Sequence, residues 1–372
     1  MFNLSNTEAI RVIREWLDDI SYSTLNGRLM QFLDQTGQLY PDFNRFMGNI
    51  DRINPIYAFI FSIFRLGQPA ERSHLDNFLP AKVVDALIET GLLINKGKYY
   101  QMPGVGIVTM GGMYFVSGLP EVYPTASRNS RYKPIDNFTQ IFMDEMGSQP
   151  FGTDFLELNA DYGILANMAA AKGFKNIQIQ SKHLDCVPLI QLNLALNHHE
   201  GKIISDICRN KYDLIVCIYL SVKEKIEARK QEIANEKDIT QLISVFRQLK
   251  DTGQAIVILE SVGAINEITI NAQFKGIMEG FNIKSVVLTK ILFPPYLFVS
   301  YLQSSWEKQF ELVPLEFEYY ARKNIETSES KQFVFTQLLK INKDKNDEPF
   351  VLFPFYNPKY SDIVFNYASL TI

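Results

Sequence analysis

Residues 154–180, DFLELNADYGILANMAAAKGFKNIQIQ, decide the fold. Residues 155–158 form a short apolar run, which is typical of a strand covered on both faces. The turn at residues 159–163 follows it, and residues 164–172 then have the composition of a helix. A second strand is predicted over 176–180. Because strand, helix and strand alternate at this length, we predict a parallel sheet with right-handed crossovers.

The alternation continues toward the end of the chain. The pattern predicts a further helix over 187–197, and further strands over 202–205, 213–218, 254–259, 284–292 and 332–341. The fold class is therefore α/β, with a Rossmann-like, mostly parallel sheet of seven strands. Ligands of such sheets bind at the carboxyl ends of the strands. Here that edge would contain the turn at residues 159–163, Ser181, Asp206 and Tyr219.

The first 120 residues predict a helical domain of their own. Helices are predicted over 7–20, 25–33, 55–66 and 80–90, and a hairpin over 92–102. Helices followed by a hairpin are the outline of a winged helix. The last helix of this outline carries one cation, Lys82, and two carboxylates, Asp85 and Glu89. Contacts with the phosphates of a nucleic acid need several cations on one face. We therefore expect no nucleic-acid partner. The predicted domains are 1–120, a linker with a helix at 121–150, and 151–372.

The composition bounds the class of protein. The 372 residues suit two domains, and a net charge of −4 favours neither nucleic acid nor an anionic membrane. The three cysteines are expected to be buried thiols in a reducing cytosol, and no cysteine or histidine pair has zinc-ligand spacing, so no metal is predicted. No secretory leader is recognised and no apolar run is long enough to span a bilayer. We expect a cytoplasmic protein, and the sequence leaves a homodimer open.

Residues 156–166, LELNADYGILA, resemble the first motif of the class I S-adenosylmethionine (SAM) dependent methyltransferases, an apolar strand with an acid and a glycine-rich turn. Residues 192–197, LNLALN, are similar to a helix end of the branch of that family that methylates amino groups. In the front half, FRLG at 64–67 and GLL at 91–93 resemble the helical and winged domain fused to relatives of the release-factor glutamine methyltransferases. The resemblance covers about residues 55–290.

The resemblance implies SAM as cofactor and a set of residues that contact it. Glu157 stands where the family's acid reaches toward the amino group of the cofactor. Asp206 stands where the family has an acid that accepts a hydrogen bond from the adenine amino group. Ser181 stands where the family has an acid that binds the ribose hydroxyls. Without the family, Glu157 is equally an acid bonded to loop amides and Asp206 a turn or cap residue. The implied cofactor-binding set is Glu157, Asn159, Asp161, Gly163, Ser181, Asp206 and Tyr219.

The cofactor motifs depart from the family's pattern. Asn159 and Asp161 replace two of the three turn glycines, and the carboxylate of Asp161 would repel that of the cofactor. A serine at 181 can make one ribose hydrogen bond, without the strength that a charged acceptor adds. Residues 217–220, CIYL, replace the Asn-Pro-Pro-aromatic tetrad that holds a target nitrogen. Protein glutamine methylation is therefore disfavoured, and no catalytic residue is assigned.

Three functions remain open from the sequence. The first is a SAM-dependent methyltransferase with a drifted cofactor motif that acts on a small molecule, for instance in biosynthesis. Methyl transfer needs alignment of a nucleophile with the sulfonium and removal of a proton, which many side chains can provide. The second is a catalytically silent partner or scaffold protein of the same fold. The third is an enzyme that uses the SAM pocket for a reaction on the aminocarboxypropyl chain.

Overall fold

The computed structural model describes residues 2–36, 38–120, 123–125, 132, 134–135, 138–147, 152–181, 183–205, 211–219, 244–264, 281–292, 332–343 and 350–353. The fold is mixed α/β, as predicted. The chain forms two compact units. Unit one comprises Met1–Thr139 and Ala160–Ser205, and unit two comprises Gln140–Asn159 and Asp206–Ile372. The predicted domains 1–120, 121–150 and 151–372 stay a prediction.

The secondary structure closely follows the predicted order. The helices are α1 (Thr7–Asp19), α2 (Tyr22–Phe32), α3 (Phe43–Asn49), α4 (Pro55–Phe64), α5 (Arg72–Phe78), α6 (Ala81–Glu89), α7 (Phe138–Gly147), α8 (Ile164–Ala171) and α9 (Val187–Leu196). The strands are β1 (Ala70–Glu71), β2 (Ile94–Lys96), β3 (Tyr99–Gln101), β4 (Val105–Met110), β5 (Met113–Gly118), β6 (Asp154–Ala160), β7 (Asn176–Ser181), β8 (Lys202–Ile203), β9 (Tyr212–Tyr219), β10 (Leu249–Ala264), β11 (Asn282–Leu292), β12 (Gln332–Asn342) and β13 (Phe350–Phe353).

The front part of unit one is helical, and helices α1, α3 and α4 begin at capping side chains. The side chain of Asn6 accepts a hydrogen bond from the amide of Ala9 at 2.9 Å and so starts α1. Asn54 caps α4, whose first residue is Pro55. The apolar stripe of α1 is buried, as its periodicity predicts: Ala9, Ile10, Ile13, Trp16 and Leu17.

Two small antiparallel sheets complete this front part. Strands β1, β3 and β2 lie in that order, and β4 pairs with β5. The β2–β3 hairpin turns at Gly97, whose φ of +73° is open to glycine without strain. The predicted hairpin over 92–102 is therefore present. The winged-helix assignment stays a prediction.

The rest of unit one carries α8, β7, α9 and β8, and β7 pairs with β8 in parallel. The described residues of unit two form six strands in the order β13-β11-β12-β10-β9-β6. In unit two, β6, β9 and β10 are parallel neighbours, and β11 is parallel to β13, whereas β12 runs antiparallel to both β10 and β11. Together with β7 and β8, the described strands number eight rather than the predicted seven, because β13 was not predicted.

The central strands of unit two are apolar along their length. Phe155 and Leu156 of β6 have no exposed surface, and the same is true of Ile215 and Val216 of β9. Consecutive residues of a strand point to opposite faces, so both faces of these strands are covered. This confirms the interpretation of 155–158 as a doubly covered strand. Among the described residues, no helix is long and apolar enough to cross a membrane.

Candidate functional site

The turn at residues 159–163 connects β6 to α8, and two of its residues have left-handed backbone. The φ angles are +56° at Asn159 and +64° at Gly163. A non-glycine residue seldom adopts this conformation, and asparagine is among the few that tolerate it. Position 159, where the resembled family has glycine, thus keeps a backbone that suits glycine.

Gly163 is the N-cap residue of α8 and is packed closely. A Cβ atom added at this position would lie 2.9 Å from Cγ2 of Ile190 on α9. A contact that short forces a neighbour to move, and the positive φ adds strain for any other residue. Gly163 is therefore required by the local structure, whatever binds over the turn.

Asp161 brings negative charge to the turn, where its side chain is exposed. Burial raises the pKa of the Cys186 thiol to about 12, and the carboxylates of Asp161 and Asp185 contribute to the increase. Burial is the larger cause, and the two carboxylates add to it because each disfavours a further negative charge close by.

Ser181, at the end of β7, uses its hydroxyl within the protein. Its Oγ lies 3.0 Å from the carbonyl oxygen of Ala160 and 2.9 Å from that of His183. Carbonyl oxygens accept only, so the single hydroxyl proton is donated to one of them. The lone pairs of Oγ can still accept a hydrogen bond. A ligand hydroxyl could therefore donate to Ser181 but could not accept from it.

Two of the predicted residues, Glu157 and Asn159, belong to unit two. Glu157 lies in β6 opposite Val216 of β9 and is only 5% exposed. The side-chain amide of Asn159 lies 3.7 Å from Sγ of Cys217, a weak N–H···S contact with a buried thiol. Cys217 was not among the predicted site residues. Its one signal in the sequence is that it opens the segment that replaces the family's tetrad.

The last two predicted residues are placed only in part. Tyr219 is the final residue of β9 and pairs with Leu259 of β10. Asp206 lies outside the described residues. Within the part of the chain that the structure describes, no group of histidine, cysteine or acidic side chains could hold a metal ion.

Two side chains hold the turn within unit one: that of Asn193, which the predicted site did not include, and that of Tyr162 in the turn itself. The side-chain amide of Asn193 donates to the carbonyl oxygen of Tyr162 at 3.0 Å. The phenol of Tyr162 accepts from the amide of Gly118 at 3.4 Å, and the tyrosine is 4% exposed. Burial raises the pKa of this phenol well above its usual range. The turn is thus fixed to α9 and to β5.

No protein-family profile and no curated protein sequence matches the chain. Solved methyltransferase structures match it loosely. The ribosomal protein L11 methylase of Lactobacillus delbrueckii subsp. bulgaricus is 18% identical over 39% of this chain and 67% of its own, with a TM-score of 0.29. A SAM-dependent methyltransferase of Agrobacterium tumefaciens is 12% identical over 70% of this chain and 80% of its own, with a TM-score of 0.38.

These likenesses are too loose to carry a conclusion about this chain, because their TM-scores lie below 0.5. Three of the matching structures are covered over 67%, 66% and 65% of their own length, so the chain spans about two thirds of them. The residues of the chain itself are therefore the basis for a proposal about its function.

Proposed function

We propose that this chain binds SAM over the turn at residues 159–163 and transfers its methyl group to a small molecule. The observation that carries the proposal is the left-handed backbone at Asn159 and Gly163. These are two of the three positions at which the resembled family has glycine. A turn of this shape lets a ligand approach the backbone closely.

Some of the neighbouring residues could bind a part of the cofactor, whereas one of them opposes it. Ser181 has lone pairs that can accept from a ribose hydroxyl, and Glu157 is the acid that the resemblance assigns to the cofactor's amino group. Asp206 keeps its predicted role at the adenine, and Tyr219 its predicted place at the carboxyl end of β9. Asp161 opposes the cofactor's carboxylate, so we expect weaker binding than a glycine at 161 would allow.

When bound, SAM supplies a methyl group on a sulfonium, which a nucleophile takes as the neutral thioether leaves. The protein then has to align the acceptor and exclude water. Cys217, at the position where the resembled family's tetrad begins, is 1% exposed and its sulfur contacts the side-chain amide of Asn159, so it is not available to hold the amide of a target glutamine. A small-molecule acceptor is therefore the better match, and the residue that removes its proton is not assigned. A cytoplasmic location and the absence of a nucleic-acid partner belong to the same proposal.

One observation favours a second candidate, a catalytically silent protein of the same fold. The charge of Asp161 and the side chain of Asn159 both stand at the turn where the cofactor's carboxylate would lie. Calorimetric titration with SAM or S-adenosylhomocysteine separates the two candidates. Saturable binding that Asp161→Gly strengthens supports the first. No binding by a folded wild-type protein, at high concentrations of both components, supports the second.

A further inference from the structure

Asn193 of α9 and Asn197, which caps the end of α9, bind the edge of β5. Oδ1 of Asn193 accepts from the amide of Val116 at 2.7 Å, and its Nδ2 donates to the carbonyl oxygen of Val116 at 3.1 Å. Asn197 repeats this with Tyr114, at 3.0 Å from the amide and 2.7 Å from the carbonyl oxygen. Each side-chain amide thus makes the two hydrogen bonds that a neighbouring strand would make.

The spacing of the two pairs follows from the geometry of helices and strands. Four residues of a helix rise by about 6 Å. Two residues of a strand rise by about 6.7 Å. Asn193 and Asn197 are four residues apart on α9, and Val116 and Tyr114 are two residues apart on β5, so both pairs can form at once. We call the four hydrogen bonds between them the amide ladder.

The amide ladder is buried, which makes its hydrogen bonds costly to lose. Asn193 has no exposed surface and Asn197 is 7% exposed. A buried amide that loses its partner keeps the full penalty of leaving water. The ladder therefore fixes α9 on β5 in one register.

Asn193 alone extends the ladder to the turn at residues 159–163. The second hydrogen of its Nδ2 group points to the carbonyl oxygen of Tyr162, at 3.0 Å. The corresponding donor of Asn197 bonds the carbonyl oxygen of Asn193 within the same helix, at 2.8 Å. The two asparagines thus share one docking role and differ in two contacts: Asn193 reaches the turn, whereas Oδ1 of Asn197 also accepts from the guanidinium of Arg14 at 3.2 Å.

We propose that Asn193 is a positioning residue for the cofactor turn, through which the position of β5 sets the conformation of residues 159–163. This rests on the proposed function in one respect, namely that SAM binds over the turn. The β4–β5 hairpin then belongs to the cofactor site although it need not touch the cofactor. A role confined to docking α9 on β5 would instead leave the turn no more sensitive to a change at Asn193 than to one at Asn197.

The test compares Asn193→Asp with Asn197→Asp. Each change keeps the oxygen that accepts from β5 and replaces the donor by an oxygen that faces carbonyl groups. We expect both variants to lose stability, the Asn197 variant less, because its new carboxylate can pair with the guanidinium of Arg14. Hydrogen exchange of the amides of residues 160–163, measured in the protein without ligand, should accelerate by about tenfold in the Asn193 variant, the equivalent of one lost hydrogen bond. In the Asn197 variant it should change by less than about twofold.

Binding of S-adenosylhomocysteine gives the second readout. It should weaken by about tenfold in Asn193→Asp and by less than about twofold in Asn197→Asp. Equal effects of the two variants on exchange in the turn overturn the proposal, as does an unchanged turn in the Asn193 variant. Should Asn193→Asp not fold, Asn193→Ala removes the same donor without adding charge. If the wild-type protein binds no ligand, the proposed function fails, and the exchange comparison still decides the role of Asn193.

Discussion

The hydroxyl of Ser181 lies 3.0 Å from the carbonyl oxygen of Ala160 and so links the end of β7 to the start of the turn at residues 159–163. The bond explains why serine can stand where the resembled family has an acid: the residue has a structural partner in this chain. A carboxylate at the same place would face the carbonyl oxygens of Ala160 and His183, which it could not satisfy.

Replacing Ser181 by alanine should therefore cost stability even without ligand. We expect the free energy of unfolding to fall by about 0.5–1.5 kcal/mol, the usual worth of one hydrogen bond, in urea titrations at neutral pH. Ser62→Ala is a matched control, because that hydroxyl bonds Ala58 within its own helix and alanine is the better helix former. A Ser181 variant as stable as the Ser62 variant would show that the link is unimportant.

Gly163→Ala should destabilise the protein more than Gly97→Ala. Both glycines have positive φ, +64° and +73°, so both variants carry backbone strain of about 1–2 kcal/mol. Only at Gly163 would the new Cβ meet a side chain, that of Ile190 at 2.9 Å, whereas nothing lies within 4 Å at Gly97. We expect about 1–3 kcal/mol of additional loss at Gly163 from this overpacking. Equal losses in urea titrations would contradict the close packing of the turn.

Asp213, in unit two, should stabilise the fold at neutral pH and lose this effect in acid. Burial alone would raise the pKa of its carboxyl group, but hydrogen bonds from Lys250 and from the amides of Asp154 and Thr153 lower it overall. A lowered pKa means that the contribution is present above the ordinary value of about 3.9 and disappears as the pH falls through the folded value.

Asp213→Ala should accordingly lower the free energy of unfolding by about 1–3 kcal/mol at pH 7, and the difference from wild type should shrink as the pH approaches 3. Asp251→Ala serves as control, because that carboxylate is fully exposed and 3.9 Å from Lys343. An exposed pair of this kind should give no measurable change. A deficit of the Asp213 variant that stays constant down to pH 3 would refute the assignment.

Cys186 should make the protein sensitive to alkali. Burial raises the pKa of its thiol to about 12, with help from Asp161 and Asp185, while the unfolded thiol titrates near its ordinary value of about 8.5. Above that value the unfolded chain loses a proton that the folded chain keeps, so stability falls as the pH rises. Between about pH 9 and 11 the wild type should lose about 1 kcal/mol per pH unit more than Cys186→Ala. Parallel pH profiles would contradict the elevated pKa.

Much of the fold could be predicted because its elements are long and periodic. The helix predicted over 187–197 is found at Val187–Leu196, and the strand predicted over 155–158 at Asp154–Ala160. Helices α3 and α5 were missed because seven residues are too few to show a helical period. Strand β10 is longer than the predicted 254–259. Its extension includes an irregularity between Leu249 and Gln254, where residues no longer alternate between the two faces.

The candidate site was less predictable, for a physical reason. Gly163, in the turn after a strand, and Ser181, at the end of a strand, could be located because motif and strand are local features of the sequence. The bond from Asn193 to Val116 joins residues 77 positions apart, and no local pattern encodes such a partner. The contact of Asn159 with Cys217 spans 58 positions and was missed for the same reason.

Titration of the wild-type protein with S-adenosylhomocysteine in a calorimeter tests the central claim most directly. We expect saturable binding at one site. Asp161→Gly, which removes the opposing charge, should strengthen it, and Gly163→Val should abolish it. Glu200→Gln, an equal loss of charge at an exposed residue of unit one, should leave the affinity unchanged. Binding in the wild type that none of these changes affects would place the site elsewhere. No binding by the folded wild type or by a folded variant with Asn159→Gly and Asp161→Gly would contradict the account.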